Sequence, residues 1–223
     1  MRINADFSQR AIVDRRQYQW VDSPQAGVER VMLDRVGAEK ARATSIVRYA
    51  PGSDFPRHEH PGGEEILVLS GTFSDADGDF PTGWYLRNPP GTGHAPHSGE
   101  GAVIFVKLWQ MPADERRSVR IDTGDPANWQ RTGGRESCVL FPAAYEQVSL
   151  QRVAAGGAIF AAAPAGGAEL LVLDGAVVLD GERHGQGSWI RLPADDLPAL
   201  VAGDRGATFY LKAGHLADAA RLP

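Results

Sequence analysis

Histidine residues are concentrated in one short part of this sequence. Four of the six lie between positions 58 and 97. His58 and His60 form a His-x-His pair, and residues i and i+2 of a β-strand point to the same side. Glu64 and Glu65 follow closely, and imidazole together with carboxylate suits Zn, Fe, Mn, Cu or Ni. The spacing therefore indicates a transition-metal site rather than unrelated core histidines.

An internal repeat divides the chain into two copies of one module. Glu65–Gly71 (EILVLSG) recurs as Glu169–Gly175 (ELLVLDG), at an offset of 104 residues. The same offset relates further identical residues: Gly52 and Gly156, Gly83 and Gly187, Arg87 and Arg191, and Pro89 and Pro193. The join lies within 111–125, a charged, Pro-bearing segment without clear periodicity. The repeat therefore predicts two domains, 1–113 and 114–223.

Short apolar runs bounded by turn residues fill each module. Residues 46–49, 66–69, 84–86 and 102–109 are predicted strands, separated by Pro-Gly and Asp-Gly turn signals. No convincing long amphipathic helix pattern occurs. The fold class is therefore all-β, with a barrel or a double-sheet jelly roll in each module.

Two segments of the first module resemble the two sequence motifs of the cupin superfamily. The first motif, Gly-x5-His-x-His-x3,4-Glu-x6-Gly, is matched by Gly52, His58, His60, Glu64 and Gly71. The second, Gly-x5-Pro-x-Gly-x2-His-x3-Asn, is matched by Gly83, Pro89, Gly91 and His94, with Ser98 in place of Asn. The resemblance implies two tandem cupin barrels, each a double-stranded β-helix or jelly roll. It also implies one metal ion bound by His58, His60, Glu64 and His94.

The second module provides an internal control for this ligand set. The offset of 104 takes the four ligands to Ala162, Pro164, Ala168 and Pro198, none of which is a metal ligand. Glu65 and Arg87, by contrast, keep identical counterparts and are assigned structural roles. We therefore expect one metal ion per chain, in the first module.

Other polar residues of the first module give weaker signals. His97 maps to Val201, and an exposed loop position is favoured over a place beside the metal. An enzyme would need an acid/base group beyond the ligands, and Tyr85, His97 and Lys107 are the candidates. Lys107 is matched by Lys212 in the metal-free module. The sequence therefore assigns no catalytic residue.

Two charged segments are interpreted as solvated. Asp75–Asp79 does not match a calcium-binding EF-hand loop and is predicted to be a hairpin tip. The cluster of Arg116, Arg117 and Arg120 is interpreted as an exposed linker. Four aromatic residues are consistent with either a pocket wall or plain core: Trp84, Tyr85, Phe105 and Trp109.

Within the cupins, residues 58–71 and 83–94 are most similar to the cupin domain of ChrR-type anti-sigma factors. That similarity implies a zinc-binding domain involved in the response to singlet oxygen. In that family a separate N-terminal helical domain with its own His/Cys zinc site holds the sigma factor. Here about twenty residues precede the first strands, and the chain has one cysteine, Cys138. These features argue against a sigma-factor partner.

Three functions remain after this comparison. The first is a metal-binding cupin with a regulatory or sensory role or a role in binding a small molecule. The second is a metal-dependent dioxygenase acting on a small molecule, and the third is a structural metal module within a dimer. Zinc is the favoured metal, with iron, manganese and nickel as alternatives. Because cupin sheets commonly pack on one another, we expect a homodimer.

Composition excludes several other classes. The chain has 223 residues, 43% of them hydrophobic, and a net charge of −5, which argues against nucleic acid as a partner. A single cysteine excludes a disulfide framework within the chain. The first ten residues lack the apolar core of a signal peptide, and no apolar run is long enough to span a membrane. The cytoplasm is therefore the expected compartment.

Overall fold

The structure is a computed structural model, and it describes residues 1–38 and 40–217. It is nearly all β, as the sequence predicts. The helical segments among these residues are the 3₁₀ turns Arg15–Gln17 and Pro126–Asn128. Neither turn has the length or apolar character that a membrane-crossing helix needs.

The strands range from two residues to fourteen. In chain order they are β1 (Arg2–Ile3), β2 (Ala11–Val13), β3 (Val21–Asp22), β4 (Val28–Val36), β5 (Arg42–Tyr49), β6 (Ser53–Asp54), β7 (His58–His60), β8 (Glu64–Asp75), β9 (Gly78–Pro81), β10 (Trp84–Asn88), β11 (Thr92–His94), β12 (His97–Ser98), β13 (Ala102–Leu108), β14 (Val119–Asp122), β15 (Trp129–Thr132), β16 (Arg135–Pro142), β17 (Gln147–Val153), β18 (Ala168–Leu179), β19 (Glu182–Gly185), β20 (Trp189–Leu192) and β21 (Leu200–Ala213).

The chain forms two compact units, which we call the first and second barrels. Among the described residues, the first comprises 1–5, 19–38 and 40–124, and the second comprises 6–18 and 125–217. These boundaries differ from 1–113 and 114–223 because each main sheet takes an edge strand from outside its repeat. In the first barrel β14 pairs with β10, and in the second β2 pairs with β20.

The two main sheets have the same strand order. In the first barrel the order is β1-β4-β5-β13-β8-β10-β14, and in the second it is β15-β16-β17-β21-β18-β20-β2. Strands β8 and β18 therefore correspond, as do β10 and β20, and β14 and β2. The internal repeat seen in the sequence is thus a repeat of strand topology, and it extends to edge strands that the sequence repeat did not include.

One glycine in each barrel sits where the long strand passes close to another backbone. Gly71 in β8 has φ +70°, and a Cβ there would lie 2.0 Å from the carbonyl oxygen of Gly101. Gly175 in β18 has φ +71°, and the matching distance to the oxygen of Gly206 is 2.3 Å. Only glycine fits both the left-handed backbone and this close approach. This explains why both copies keep glycine at this position.

Alternation along β8 sorts its side chains onto two faces. Ile66 and Val68 belong to the barrel core together with Leu86 and Ile104. Glu65 points to the opposite face and accepts a hydrogen bond from Arg87, with Nη1 3.0 Å from Oε2 and both side chains buried. The structural roles predicted for Glu65 and Arg87 agree with this buried pair.

Candidate metal centre

Two short antiparallel strands bring the three candidate histidines together. In the pairing of β7 with β11, His58 lies opposite His94 and His60 lies opposite Thr92. Glu64 begins β8 directly after Gly63, which has φ +75°. A Cβ at Gly63 would lie 2.4 Å from the sulfur of Met111, so this tight turn requires glycine. The turn sets where Glu64 enters the site.

The four side chains predicted as ligands converge. One ligand atom from each of His58, His60, Glu64 and His94 lies within 4.8 Å of all the others. Oε2 of Glu64 is 3.3 Å from Nε2 of His60 and 3.4 Å from Nε2 of His94. His58 is half-buried and the other three are buried. The arrangement is a compact cluster at the inner end of the barrel strands.

This cluster has the properties of a cation site. Within the described residues, Nε2 of His60 and Nε2 of His94 are buried without a hydrogen-bond partner. An unsatisfied buried polar group costs about 1–3 kcal/mol, and a bound cation would remove that cost for both nitrogens. Burial lowers the pKa of His60, with Glu64 opposing the shift. The neutral imidazole that results is the form that binds metal. Three imidazoles and a carboxylate therefore could hold a transition-metal ion.

Each histidine is also held at its other ring nitrogen. Nδ1 of His94 lies 2.8 Å from Oδ2 of Asp75, and Nδ1 of His58 lies 3.0 Å from the carbonyl oxygen of Pro56. For His60, Nδ1 lies 3.3 Å from Oγ1 of Thr92. All three partners can accept a hydrogen bond from Nδ1–H, and in that tautomer the Nε2 lone pair is available to a metal ion.

Asp75 is the partner that the sequence analysis misplaced. It was assigned to a solvated hairpin tip, and this is wrong because its side chain is buried against His94. Burial raises the pKa of Asp75. Hydrogen bonds from His94 and from the backbone N–H of Asp77, together with the charges of His94 and Arg120, outweigh burial and bring the pKa below its ordinary value. The carboxylate is therefore ionised. Asp77 and Asp79 do lie exposed at the hairpin tip.

A small polar cavity of about 80 Å³ adjoins the cluster. Its lining combines candidate ligands with hydrogen-bonding groups: His60, Asp75, Asp77, Asn88, Thr92, Gly93, His94, Ser118 and Arg120. Arg120 belongs to β14, so its interpretation as exposed linker is wrong. The linker assignment rested on charge alone, which does not reveal that residues 119–122 pair with β10.

The remaining candidates lie away from this cavity. His97 is exposed in β12, as favoured from the sequence. Tyr85 and Lys107 lie on the face of the sheet opposite Glu64, where Lys107 donates to Thr44 Oγ1 at 2.9 Å. Trp84 packs against the barrel core. None of these side chains reaches the cluster among the described residues.

The fold and the cluster together define a cupin with a candidate metal centre. Residues 8–112 match the family model of the ChrR cupin-like domain. The matched half of the chain is therefore a cupin superfamily domain that resembles the ChrR cupin domain. No curated protein sequence matches the chain.

Solved structures share this fold over both barrels at low sequence identity. A protein from Nostoc punctiforme PCC 73102, provisionally named a dioxygenase, has a TM-score of 0.76 and 16% identity, covering 92% of this chain and 82% of that one. The pirin YhhW from Escherichia coli, in complex with nickel(II), has a TM-score of 0.68 and 13% identity, covering 92% and 98%. A glyoxylate-induced protein from Pseudomonas aeruginosa, also provisionally named, has a TM-score of 0.69 and 19% identity, covering 92% and 88%. These likenesses concern the fold.

Proposed function

We propose that the first barrel binds one divalent transition metal through His58, His60, Glu64 and His94, and that the second barrel binds none. The observation that carries this proposal is the convergence of the four side chains, three of them buried, around two buried imidazole nitrogens that make no hydrogen bond. Zinc is favoured because the resemblance to the ChrR cupin domain implies it. Iron, manganese and nickel accept the same ligand types.

We further propose a regulatory or sensory role in which a small polar molecule enters the cavity and reaches the metal. The cavity adjoins His60 and His94, and its lining includes the hydrogen-bonding side chains of Asp75, Asn88, Thr92 and Arg120. Three imidazoles and one carboxylate leave one or two positions open on a metal that prefers five or six ligands. The groups considered for acid/base chemistry, Tyr85, His97 and Lys107, lie elsewhere. This favours binding over catalysis.

A metal-dependent dioxygenase is the second candidate. The cavity beside the cluster would let a small substrate and oxygen approach, and the Nostoc protein of similar fold carries a provisional dioxygenase name. A bound iron would supply the redox chemistry. Oxygen uptake by iron-loaded protein with small diketones or hydroxyaryl ketones tests this candidate.

Metal analysis of three proteins tests the main proposal. Wild-type protein should contain about one metal ion per chain, and the double variant His58→Ala/His60→Ala should contain none. His97→Ala is the matched control, since His97 is exposed and outside the cluster. Two ions per wild-type chain, or metal retained by the double variant, would contradict the assignment.

We also propose that the protein is a homodimer. The supporting argument is that cupin sheets commonly pack on one another, and that a barrel without metal ligands is most simply a packing partner. Sedimentation equilibrium should give twice the chain mass of 24.0 kDa. A monomer mass at micromolar concentration would contradict this proposal.

A further inference from the structure

A chain of hydrogen bonds runs from Glu64 to the edge strand β14. Oε2 of Glu64 accepts from Nδ2 of Asn88 at 3.0 Å, and both groups are buried. Oδ1 of Asn88 accepts from Nη2 of Arg120 at 2.8 Å. The backbone register supports these contacts, because Asn88 lies directly opposite Glu64 and Arg120 lies opposite Leu86. The edge strand is thus connected to the candidate metal centre.

The position of the Arg120 guanidinium is fixed by several acceptors. Nη1 donates to the carbonyl oxygens of Val119 at 2.8 Å and Arg87 at 3.2 Å. Nη2 also lies 3.3 Å from Oδ2 of Asp77. A guanidinium presents its donors in a rigid planar fork. Its contact with Asn88 is therefore held in one geometry rather than made by a mobile surface side chain.

Asn88 can satisfy both neighbours in only one orientation. Arg120 can only donate hydrogen bonds, and an ionised Glu64 can only accept them. The amide oxygen must therefore face Arg120 and the amide nitrogen must face Glu64, since a flipped amide would lose both bonds. This orientation in turn fixes the Glu64 carboxylate, whose Oε2 faces Nε2 of both His60 and His94.

The second barrel lacks every member of this chain of hydrogen bonds. The cross-strand pair of Glu64 and Asn88 is replaced by Ala168 and Leu192 at the same register. In the first barrel, Leu86 lies opposite Arg120 of the edge strand β14. In the second barrel, the residue that corresponds to Leu86 is Ile190, and it lies opposite Ile12 of the edge strand β2.

The neighbouring scaffold pair does not follow this pattern. Glu65 and Arg87 lie opposite each other in the first barrel, and Glu169 and Arg191 do so in the second. Asn88 and Arg120 thus change together with the candidate ligands while the adjacent scaffold residues do not.

We propose that Asn88 and Arg120 are positioning residues of the metal centre. Arg120 orients Asn88, and Asn88 holds the Glu64 carboxylate in the direction that metal binding requires. The inference rests on the proposed metal binding by this cluster. Loss of such an outer partner typically lowers metal affinity by about 10- to 100-fold.

Cobalt(II) provides the test, because both its affinity and its visible absorption spectrum report on ligand geometry. Each residue is replaced by its counterpart in the second barrel, as Asn88→Leu, Arg120→Ile and the double variant. Asn88→Leu should lower cobalt affinity by about 10- to 100-fold, and Arg120→Ile by a smaller factor. Both should alter the spectrum. The double variant should lose no more than Asn88→Leu alone, because Arg120 acts through Asn88.

Arg131→Ile is the control, since Arg131 is an exposed arginine on β15 of the second barrel; it should match wild type. If Arg120→Ile lowers the unfolding midpoint of the metal-free protein, Arg120→Met, which keeps an unbranched stem without donors, replaces it. Wild-type affinity and spectrum in the Arg120 variant, or losses that add in full, would overturn the inference. A wild-type protein that binds no cobalt would instead refute the proposed function.

Discussion

The two barrels share a scaffold, but the first has a cluster of buried polar side chains where the second has apolar ones. Their main sheets have the same strand order, and both long strands carry a glycine at the same close approach. At one matched register, however, the first barrel buries Glu64 against Asn88 and the second buries Ala168 against Leu192. The fold therefore does not depend on the polar cluster, which is an addition to a barrel that is complete without it.

The two interiors also differ in the free energy of burying their side chains. Full burial of a leucine side chain contributes about 1.5–3 kcal/mol, and Leu192 belongs to the apolar core of the second barrel. The first barrel instead buries a carboxylate and imidazole nitrogens, which costs free energy unless they are paired. A bound cation is the partner that would offset this cost.

One exchange gives the first barrel the residues of the second. In His58→Ala/Glu64→Ala, two candidate ligands become their counterparts Ala162 and Ala168. Zinc at 100 times its dissociation constant should raise the unfolding free energy of wild-type protein by about 2.7 kcal/mol. The variant should show no such increase in urea titrations with and without zinc. An undiminished zinc effect would mean that the metal binds elsewhere.

The reverse exchange tests whether the second barrel requires an apolar interior. Leu192→Asn should lower the unfolding free energy by roughly 3–5 kcal/mol, because it loses leucine burial and buries an amide that faces Ala168 instead of a carboxylate. Urea unfolding of metal-free protein measures the change. Leu197→Asn is the control, since Leu197 is 53% exposed, and it should stay within about 0.5 kcal/mol of wild type. Equal effects at the two positions would contradict the comparison.

Asp75→Asn should weaken the metal centre without removing a ligand. Asparagine cannot match the ionised carboxylate that accepts from Nδ1 of His94, and we expect metal affinity to fall by about 10- to 100-fold. Competition with a chromophoric chelator measures the affinity. Asp79→Asn, at the exposed tip of the same hairpin, should leave it unchanged. Unaltered affinity in Asp75→Asn would show that this hydrogen bond does not support the centre.

The sequence singles out the four side chains that converge, because motif spacing and the repeat report on the same residues. His58 and His60 share a side of one strand, and the loss of Glu64 but not Glu65 from the second copy selects the carboxylate that joins the cluster. The all-β class follows from short apolar runs between turns. Each of these features is local in the chain or repeated within it, so one sequence is enough to reveal it.

The outer partners of the cluster depend on pairing between distant strands, and the sequence does not show them. Arg120 reaches Asn88 only because β14 adds to β10, and a charged segment before the second module gives no sign of that pairing. Asp75 is buried only because β8 continues past its glycine towards His94. The sequence repeat does contain a signal for the role of Asn88. Its counterpart in the second module is the apolar Leu192, just as the counterpart of Glu64 is the apolar Ala168.

The edge strands give the smallest effect, which concerns pH. In the second barrel Asp14 follows β2 and accepts from Ser188 Oγ at 2.7 Å and pairs with His184 Nδ1 at 3.0 Å. Burial raises the pKa of Asp14, but these hydrogen bonds outweigh it and lower the pKa below its ordinary value. Because the folded pKa lies below the unfolded one, the stabilisation is present above the unfolded pKa and is lost as pH falls through the folded pKa.

Asp14→Asn should therefore be less stable than wild type near neutral pH, by no more than about 1 kcal/mol. The difference should shrink as pH falls below about 3.9, the ordinary pKa of an aspartate, and disappear once pH is below the lowered folded pKa of Asp14. Urea unfolding midpoints across this range measure the convergence. A pH-independent difference would mean that Asp14 holds the β2 segment through packing rather than charge.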